Sequence, residues 1–112
     1  MEIELMPHTV ISDIQEQFRL NYPFLKIEFY AKEKEKLKSQ TAIPVSVFPV
    51  SISIHPHITV SELENNIFKL LRIYAKVLRK AGNLWIPASL THDWTLEKQN
   101  FEGEQMSVKS NY

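Results

Sequence analysis

The first half of the chain carries two different hydrophobic periods. Residues 2–5 (EIEL) alternate between acidic and aliphatic side chains, which is the two-residue period of a half-buried strand. Pro7 has no amide hydrogen to offer a strand ladder, so this strand ends there. Apolar residues then recur at helical spacing over 11–18, and NYP at 21–23 ends that helix because a residue before proline avoids the α conformation. Residues 25–29 alternate again, which completes a predicted strand–helix–strand unit.

The same order of patterns returns in the second half. The segment IELMPHTVISDIQEQF, which begins at Ile3, aligns with ISIHPHITVSELENNI, which begins at Ile52, an offset of 49 positions. This alignment places Pro7 on Pro56, so both segments have a proline after the alternating residues. We therefore expect a second strand–helix–strand unit that is built like the first.

The second helix has a clear beginning and an ambiguous end. Thr59 and Glu62 have the spacing of a capping box. The apolar stripe that follows could continue as a helix up to Gly82. The repeat, together with β-branched and aromatic residues, favours instead a helix that ends near Arg72 and a strand over residues 73–80. The segment KAGN would then be a hairpin turn that leads into a returning strand.

These patterns predict an α+β fold in a single domain. The expected arrangement is ferredoxin-like, with two consecutive βαβ units (β-α-β-β-α-β), helices on one face of an antiparallel sheet, and a C-terminal hairpin strand and short helix. The final helix would be capped within Thr91–Asp93 and end near Gly103. Within the single domain 1–112 we divide the chain into repeat units at about 2–30 and 50–80, a loop at 31–49, a C-terminal hairpin and helix at 82–103, and a frayed tail at 104–112.

Composition narrows the classes of protein. The 112 residues include no cysteine, which excludes disulfides, thiolate metal ligands and cysteine nucleophiles. The first residues are acidic and alternating, unlike a secretory signal, and no stretch approaches the about 20 apolar residues that a membrane helix needs. We therefore expect a cytoplasmic protein with no membrane partner. The formal net charge is zero, so the charge of the whole molecule attracts neither nucleic acid nor anionic lipid.

Candidate catalytic and metal-binding groups do not form a complete pattern. His55 and His57 lie two positions apart, but a zinc site needs three or four convergent ligands. Thr91–Asp93 has the residue types of a catalytic triad, yet adjacent residues cannot form one by themselves. Glu62 and Glu64 fit the exposed start of a helix, where the helix dipole favours negative charge. We therefore predict no catalytic residue, no metal ligand and no cofactor.

Binding is the function that the sequence favours. The returning strand and the segment after it carry aromatic and apolar residues that could form an exposed patch of the kind that marks interfaces. The residues predicted for this interface are Trp85, Ile86, Trp94 and Arg79. A protein partner would bind there, or a second copy of the chain in a homodimer. In the competing interpretation, the last helix folds over these residues and closes the core.

A nucleic-acid-binding domain is the alternative function. No acidic residue occurs between Glu64 and Asp93, and the basic residues in this interval are Lys69, Arg72, Lys76, Arg79 and Lys80. Tyr74 and Trp85 lie nearby and could serve as stacking surfaces for bases. A basic helix flank that simply faces solvent would give the same pattern.

Three segments of the second half, TVSELE, RKAGNLWI and DWTLEKQNFEG, together resemble a small bacterial protein family of similar length. The resemblance covers mainly Thr59 to Gly103. It implies a strand–turn–strand around RKAGNLW, with the preceding helix ending early. It implies no activity, cofactor or site residue.

Overall fold

The structure of the protein is a computed structural model that describes residues 1–32, 35–43 and 50–109, with only the backbone described at 108 and 109. These ranges contain six strands and three helices. In chain order they are β1 (Glu2–Leu5), α1 (Ile11–Asn21), β2 (Leu25–Lys32), β3 (Glu35–Lys36), β4 (Val50–Ser53), α2 (Val60–Leu71), β5 (Tyr74–Ala81), β6 (Leu84–Pro87) and α3 (Leu96–Lys109). A single 3-10 turn at Ser89–Thr91 links β6 to α3.

The strands form two antiparallel sheets. One is a two-stranded ribbon of β1 and β4, and the other has four strands in the order β3-β2-β5-β6. Helix α1 packs against β2, whereas α2 and α3 pack against β5. The protein therefore has an α+β fold with antiparallel sheets. Within the described residues, no helix is long and apolar enough to cross a membrane.

The ferredoxin-like strand order is not confirmed. In that arrangement the strands of both units share one sheet, in which the second strand of the first unit pairs with the first strand of the second unit. Here β2 pairs with β5 instead, and β1 and β4 pair only with each other in the described residues. The short strand β3 is a further difference, since it pairs with Tyr30 and Lys32 at the end of β2. It lies in the segment expected to be a loop, whose positions 44–49 are outside the described residues.

The break between α2 and β5 falls where the repeat predicted it. Arg72 has φ 59°, in the left-handed region that few non-glycine residues adopt, and its amide donates to the Phe68 carbonyl at 2.9 Å. This left-handed residue ends the helix and turns the chain into β5. The hairpin prediction is also confirmed, since Ala81 lies opposite Leu84 and Gly82 has φ 63°.

The elements follow the offset of 49 positions along the chain. Helices α1 and α2 begin at residues 11 and 60, and strands β2 and β5 cover residues 25–32 and 74–81. Strands β3 and β6 begin at 35 and 84. In the ribbon, Ile3 lies directly opposite Ile52, the residue with which it aligns. This pairing pattern is that of two units related by an approximate two-fold rotation.

The core lies between the ribbon, the helices and one face of the four-stranded sheet. The ribbon turns its isoleucine and leucine side chains inward, while its serine and glutamate side chains are exposed. The helices add Ile14, Phe18, Leu63 and Ile67, and β2 adds Leu25, Ile27 and Phe29, all with at most 1% of their surface exposed. The alternation and helical spacing of the sequence thus correspond to these buried faces.

The C-terminal helix differs from its prediction at both ends. Its cap is Thr95, whose hydroxyl accepts from the Lys98 amide at 3.2 Å, and not a residue of Thr91–Asp93. It also runs through Gly103 to Lys109, so most of the expected frayed tail is helical. Gly103 is needed for packing, because a Cβ atom there would lie 2.9 Å from the Phe24 carbonyl oxygen and 3.1 Å from Cγ of Arg79.

Candidate binding face on the four-stranded sheet

The register of the four-stranded sheet assigns its residues to two faces. Residues directly opposite each other in an antiparallel pair point to the same side, and neighbours along a strand point to opposite sides. The inner face includes Leu25, Ile27, Phe29, Val77 and Arg79. The other face, which we call the open face, carries Lys26, Glu28, Tyr30, Lys36, Tyr74, Lys76, Leu78, Lys80, Trp85 and Pro87.

Burial distinguishes these two faces. The inner face supplies Leu25, Ile27, Phe29 and Val77 to the hydrophobic core, whereas none of the described open-face residues belongs to that core. Leu78 is the buried residue of the open face, at 8% exposure, and it lies between Lys26 and Pro87 on the neighbouring strands. The open face therefore has a small apolar centre of its own.

Two cationic side chains lie over the Trp85 ring. The ammonium nitrogen of Lys26 is 5.2 Å from the ring centroid, and the guanidinium carbon of Arg19 on α1 is 5.3 Å away. Both distances are within the range of cation–π attraction. Lys80 lies opposite Trp85 in the register of β5 and β6. One end of the open face thus combines an indole ring with three positive charges.

Tyrosines lie at the other end of the open face. Tyr30 and Tyr74 are directly opposite each other, and the Lys76 ammonium lies 5.3 Å from the Tyr30 ring centroid. The Tyr74 ring, with 49% of the residue exposed, stacks on Phe68 of α2 at 5.0 Å between centroids and 27° between planes. Arg72 lies 5.5 Å from the Phe68 ring, so rings and cations continue past the sheet onto the end of α2.

Glu28 is the acidic residue of the described open face, and it is already paired. It forms ion pairs with Lys36 and, at 4.0 Å, with Lys26. Burial by itself would raise the pKa of Glu28, but the hydrogen bond and charge of Lys36 and the charge of Lys26 outweigh it, so the pKa lies below its ordinary value. Glu28 is therefore ionised at neutral pH. Lys76 lies opposite Glu28 on β5, so three basic side chains of the open face are close to this carboxylate.

The four predicted interface residues do not share one surface. Trp85 lies on the open face, whereas Ile86 and Arg79 are opposite each other on the inner face. Arg79 donates to the Gln99 side chain of α3 at 3.1 Å, and its guanidinium lies 5.5 Å from the Trp94 ring. Trp94 is half-buried, with the Lys98 ammonium 4.2 Å from its ring centroid. The structure thus brings Arg79 and Trp94 together under α3, away from Trp85.

The basic residues of the nucleic-acid alternative are also divided. Lys76 and Lys80 lie on the open face, and Arg72 extends it through Phe68. Lys69 is exposed on α2, and Arg79 faces α3. Sequence reasoning missed the contribution of the first unit, namely Arg19, Lys26, Tyr30 and Lys36. The alternation of LKIEFY could have placed Lys26 and Tyr30 on one face, but not the pairing of β2 with β5.

Two of the four histidines, His57 and His92, have polar contacts within the chain. His57 is exposed and 3.7 Å from Glu97, and the His92 ring nitrogen Nδ1 lies 2.8 Å from the Ser89 carbonyl oxygen. Among the described residues, no three histidine, aspartate or glutamate side chains come together as a metal site would require.

Glu64 is not on the exposed face of α2, contrary to expectation. Its carboxylate accepts the Val77 amide at 3.1 Å. Burial raises the pKa of Glu64 above its ordinary value, and the bond from Val77 offsets part of that effect. The Glu64 carboxylate thus accepts a backbone amide of β5 just beyond the residues that pair with β6. This hydrogen bond gives Glu64 a structural role.

No protein-family model, curated protein or solved structure matches this chain. The kind of site is therefore inferred from the geometry of the residues in this chain. That geometry is a sheet face on which aromatic rings alternate with positively charged side chains. Such a face offers flat stacking surfaces and charge, and its Tyr30 hydroxyl donates to the Glu28 carboxylate at 3.3 Å.

Proposed function

We propose that the protein is a non-enzymatic binding module that holds single-stranded nucleic acid on the open face of its four-stranded sheet. The observation that carries this proposal is the placement of rings beside cations. Trp85 lies next to Arg19 and Lys26, and Tyr30 lies next to Lys76. Each of these groups matches one part of a nucleotide chain, since rings stack on bases and cations pair with phosphates.

A single strand fits this face better than a duplex does. Readers of duplex DNA insert a helix or a two-stranded ribbon into a groove, where base edges are exposed. The open face is instead a sheet surface whose rings need unpaired bases in order to stack. Its positive charge is local, because the molecule as a whole has no net charge. Affinity should therefore depend on stacking as well as on salt.

Loss of Trp85 tests the proposal directly. Stacking of one base on an aromatic ring contributes about 1–3 kcal/mol, so Trp85→Leu should weaken binding about 5- to 150-fold. Binding can be measured by fluorescence anisotropy at low salt with labelled single strands of about ten nucleotides, a length within the usual footprint of such surfaces. The matched control is Trp94→Leu, which removes the tryptophan on the α3 side.

Three results would contradict the proposal: no binding of any single strand by the wild-type protein, equal loss in both tryptophan variants, or tighter binding of a duplex than of its separate strands. Circular dichroism of both variants excludes unfolding as the cause of a loss. Binding to an acidic peptide in place of the oligonucleotide would assign the open face to a protein partner.

Self-association in a homodimer is a second candidate function, favoured by a different observation. Strand β6 is at the end of the described four-stranded sheet, with an outer edge that no described strand pairs. Leu84 on this strand is 69% exposed, and Leu90 just beyond it is 97% exposed. An exposed edge strand with nearby apolar side chains is a common route to pairing between copies. Light scattering tests this: a dimer that Leu84→Glu converts to monomer supports it, and a monomeric wild-type protein excludes it.

A further inference from the structure

A cleft lies next to the open face, between α1, β2 and the residues that follow β3. Its volume is about 580 Å³, within the range of small-molecule sites. Charged side chains dominate its lining, with Arg19, Lys26, Lys36 and Lys38 opposed by Glu16 and Glu28. Because Glu28 is paired with Lys36, and because neither Arg19 nor Lys38 pairs with a carboxylate in the described residues, the cleft has an excess of positive charge.

Two residues connect this cleft to Trp85. Arg19 and Lys26 line the cleft, and both lie within 5.3 Å of the centre of the indole ring. A planar group stacked on Trp85 would therefore lie next to the positive charges of Arg19 and Lys26, which also line the cleft. A nucleotide has this combination of parts, since its base is planar and its phosphate is attached only a sugar away.

We propose that Trp85 and the cleft form one nucleotide site, in which the base stacks on Trp85 and the phosphate enters the cleft beside Arg19 and Lys38. This inference rests on the proposed function, because the bound nucleotide would be one unit of the single strand. It adds to that function a fixed point on the open face, at which one base and its phosphate are held together.

The repeat explains why the phosphate-binding cleft of this site is lined by residues of the first half of the chain and has no counterpart among the described residues of the second half. Gln15 of α1 occupies the position that Glu64 has in α2, at the offset of 49 residues. The Gln15 amide donates to the Ile27 carbonyl of β2 at 2.8 Å, whereas the Glu64 carboxylate accepts the Val77 amide of β5. A neutral amide lines the cleft of the first unit. A carboxylate at the matching place in the second unit would repel a phosphate.

Binding of adenosine monophosphate, adenosine and inorganic phosphate to the intact protein tests the inference. Nuclear magnetic resonance spectra would follow the indole signal of Trp85, assigned by comparison with Trp94→Phe, and the backbone amides of residues 36–39. The nucleotide should shift both sets of signals and bind about tenfold or more tightly than adenosine, because only the nucleotide brings a charged acceptor to the cleft.

Removal of a cleft charge should weaken the nucleotide selectively. Lys38→Gln should reduce nucleotide affinity about 2- to 5-fold, as expected for an exposed charge contact, and leave adenosine binding unchanged. The matched control is Lys98→Gln on α3, which should change neither affinity.

The outcomes separate this inference from the proposed function. If single strands bind and depend on Trp85 while the nucleotide and adenosine bind equally, the function stands and the nucleotide site is wrong. If the nucleotide binds as expected but no single strand does, the site stands and the proposed function is wrong. Shifts at residues 36–39 with phosphate alone, and none at Trp85 with the nucleotide, would reduce the cleft to an anion site and overturn the inference.

Discussion

The two faces of the four-stranded sheet are built from alternate residues of the same strands, and they have different chemistry. The inner face carries aliphatic and aromatic side chains of the core, such as Ile27 and Phe29, which have at most 1% of their surface exposed. The open face carries Lys26, Glu28 and Tyr30 from the intervening positions. One strand thus contributes to stability through one set of residues and to a surface through the other.

The comparison also separates Arg79 from Trp85, although each lies next to an aromatic ring or a cation. Each of the two residues lies in a cluster of an aromatic ring and cations. Arg79 faces α3 and is hydrogen-bonded to Gln99, whereas Trp85 lies on the open face with Arg19 and Lys26. The first cluster is packed between the inner face of the sheet and α3. The second cluster lies on the open face, with one of its cations supplied by α1.

Substitutions at two neighbouring positions of β2 give the strongest test of the difference between the two faces. Phe29→Ala leaves a cavity in the core and should lower the free energy of unfolding by about 3–5 kcal/mol. Tyr30→Ala, one position further along, should lower it by about 1 kcal/mol or less, since it removes a half-buried ring outside the core. Urea denaturation measures both values.

The same pair of variants links stability to binding. Under conditions where both variants are folded, Tyr30→Ala should weaken oligonucleotide binding more than Phe29→Ala does. Similar losses of stability in the two variants would show that the open face is part of the core, and the distinction between the faces would be wrong.

Much of this distinction follows from the sequence, but the pairing of strands does not. The alternation in residues 25–29 and the repeat predict β2 and β5. Because side chains alternate between the two faces along a strand, the sequence also places Lys76 and Lys80 on the face opposite Arg79. The hydrophobic pattern contains no information on which distant strand lies beside β2. For that reason, only the structure shows that Tyr30 and Lys26 lie on the same face of the sheet as Trp85.

The end of α3 shows a different limit of sequence reasoning. Glycine after a helical segment is a common stop signal, so the sequence predicts that α3 ends near Gly103. A glycine also allows two backbones to approach closely, and the 2.9 Å distance from its absent Cβ to the Phe24 carbonyl shows this second use. Only the structure, which places Phe24 next to Gly103, distinguishes these two uses of glycine.

Substitution at Gly103 therefore gives the second prediction, which concerns the helix that covers Arg79. Gly103→Ala should lower the free energy of unfolding by about 1–3 kcal/mol, because the added methyl group forces Phe24 or α3 to move. The control is Glu104→Ala at the next, exposed position, where alanine should be neutral or slightly stabilising. Thermal unfolding of the two variants compares them. A stabilised Gly103→Ala variant would mean that α3 does not approach Phe24 this closely.

The smallest expected effect concerns two glutamates that respond to pH in opposite directions. Glu28 on the open face has a lowered pKa, so its contribution to stability is present above the pKa of the unfolded chain and is lost as pH falls through the folded value. Glu64 beside β5 has a raised pKa. Its contribution is complete below the pKa of the unfolded chain and is lost as pH rises through the folded value.

Glutamine at each position should therefore change the pH dependence with opposite sign. Between about pH 3 and about pH 7, where glutamates titrate, Glu28→Gln should remove stability mainly at the upper end. Glu64→Gln should instead gain relative to wild type at the upper end, because its amide oxygen can still accept the Val77 amide without the cost of a half-buried charge. Each change should be below about 1 kcal/mol, since both carboxyl groups are partly reached by solvent. If both substitutions changed the pH dependence of stability in the same direction and by the same amount, Lys36 and Lys26 would not lower the pKa of Glu28. The ion pairs of Glu28 would then not contribute to the electrostatics of the open face.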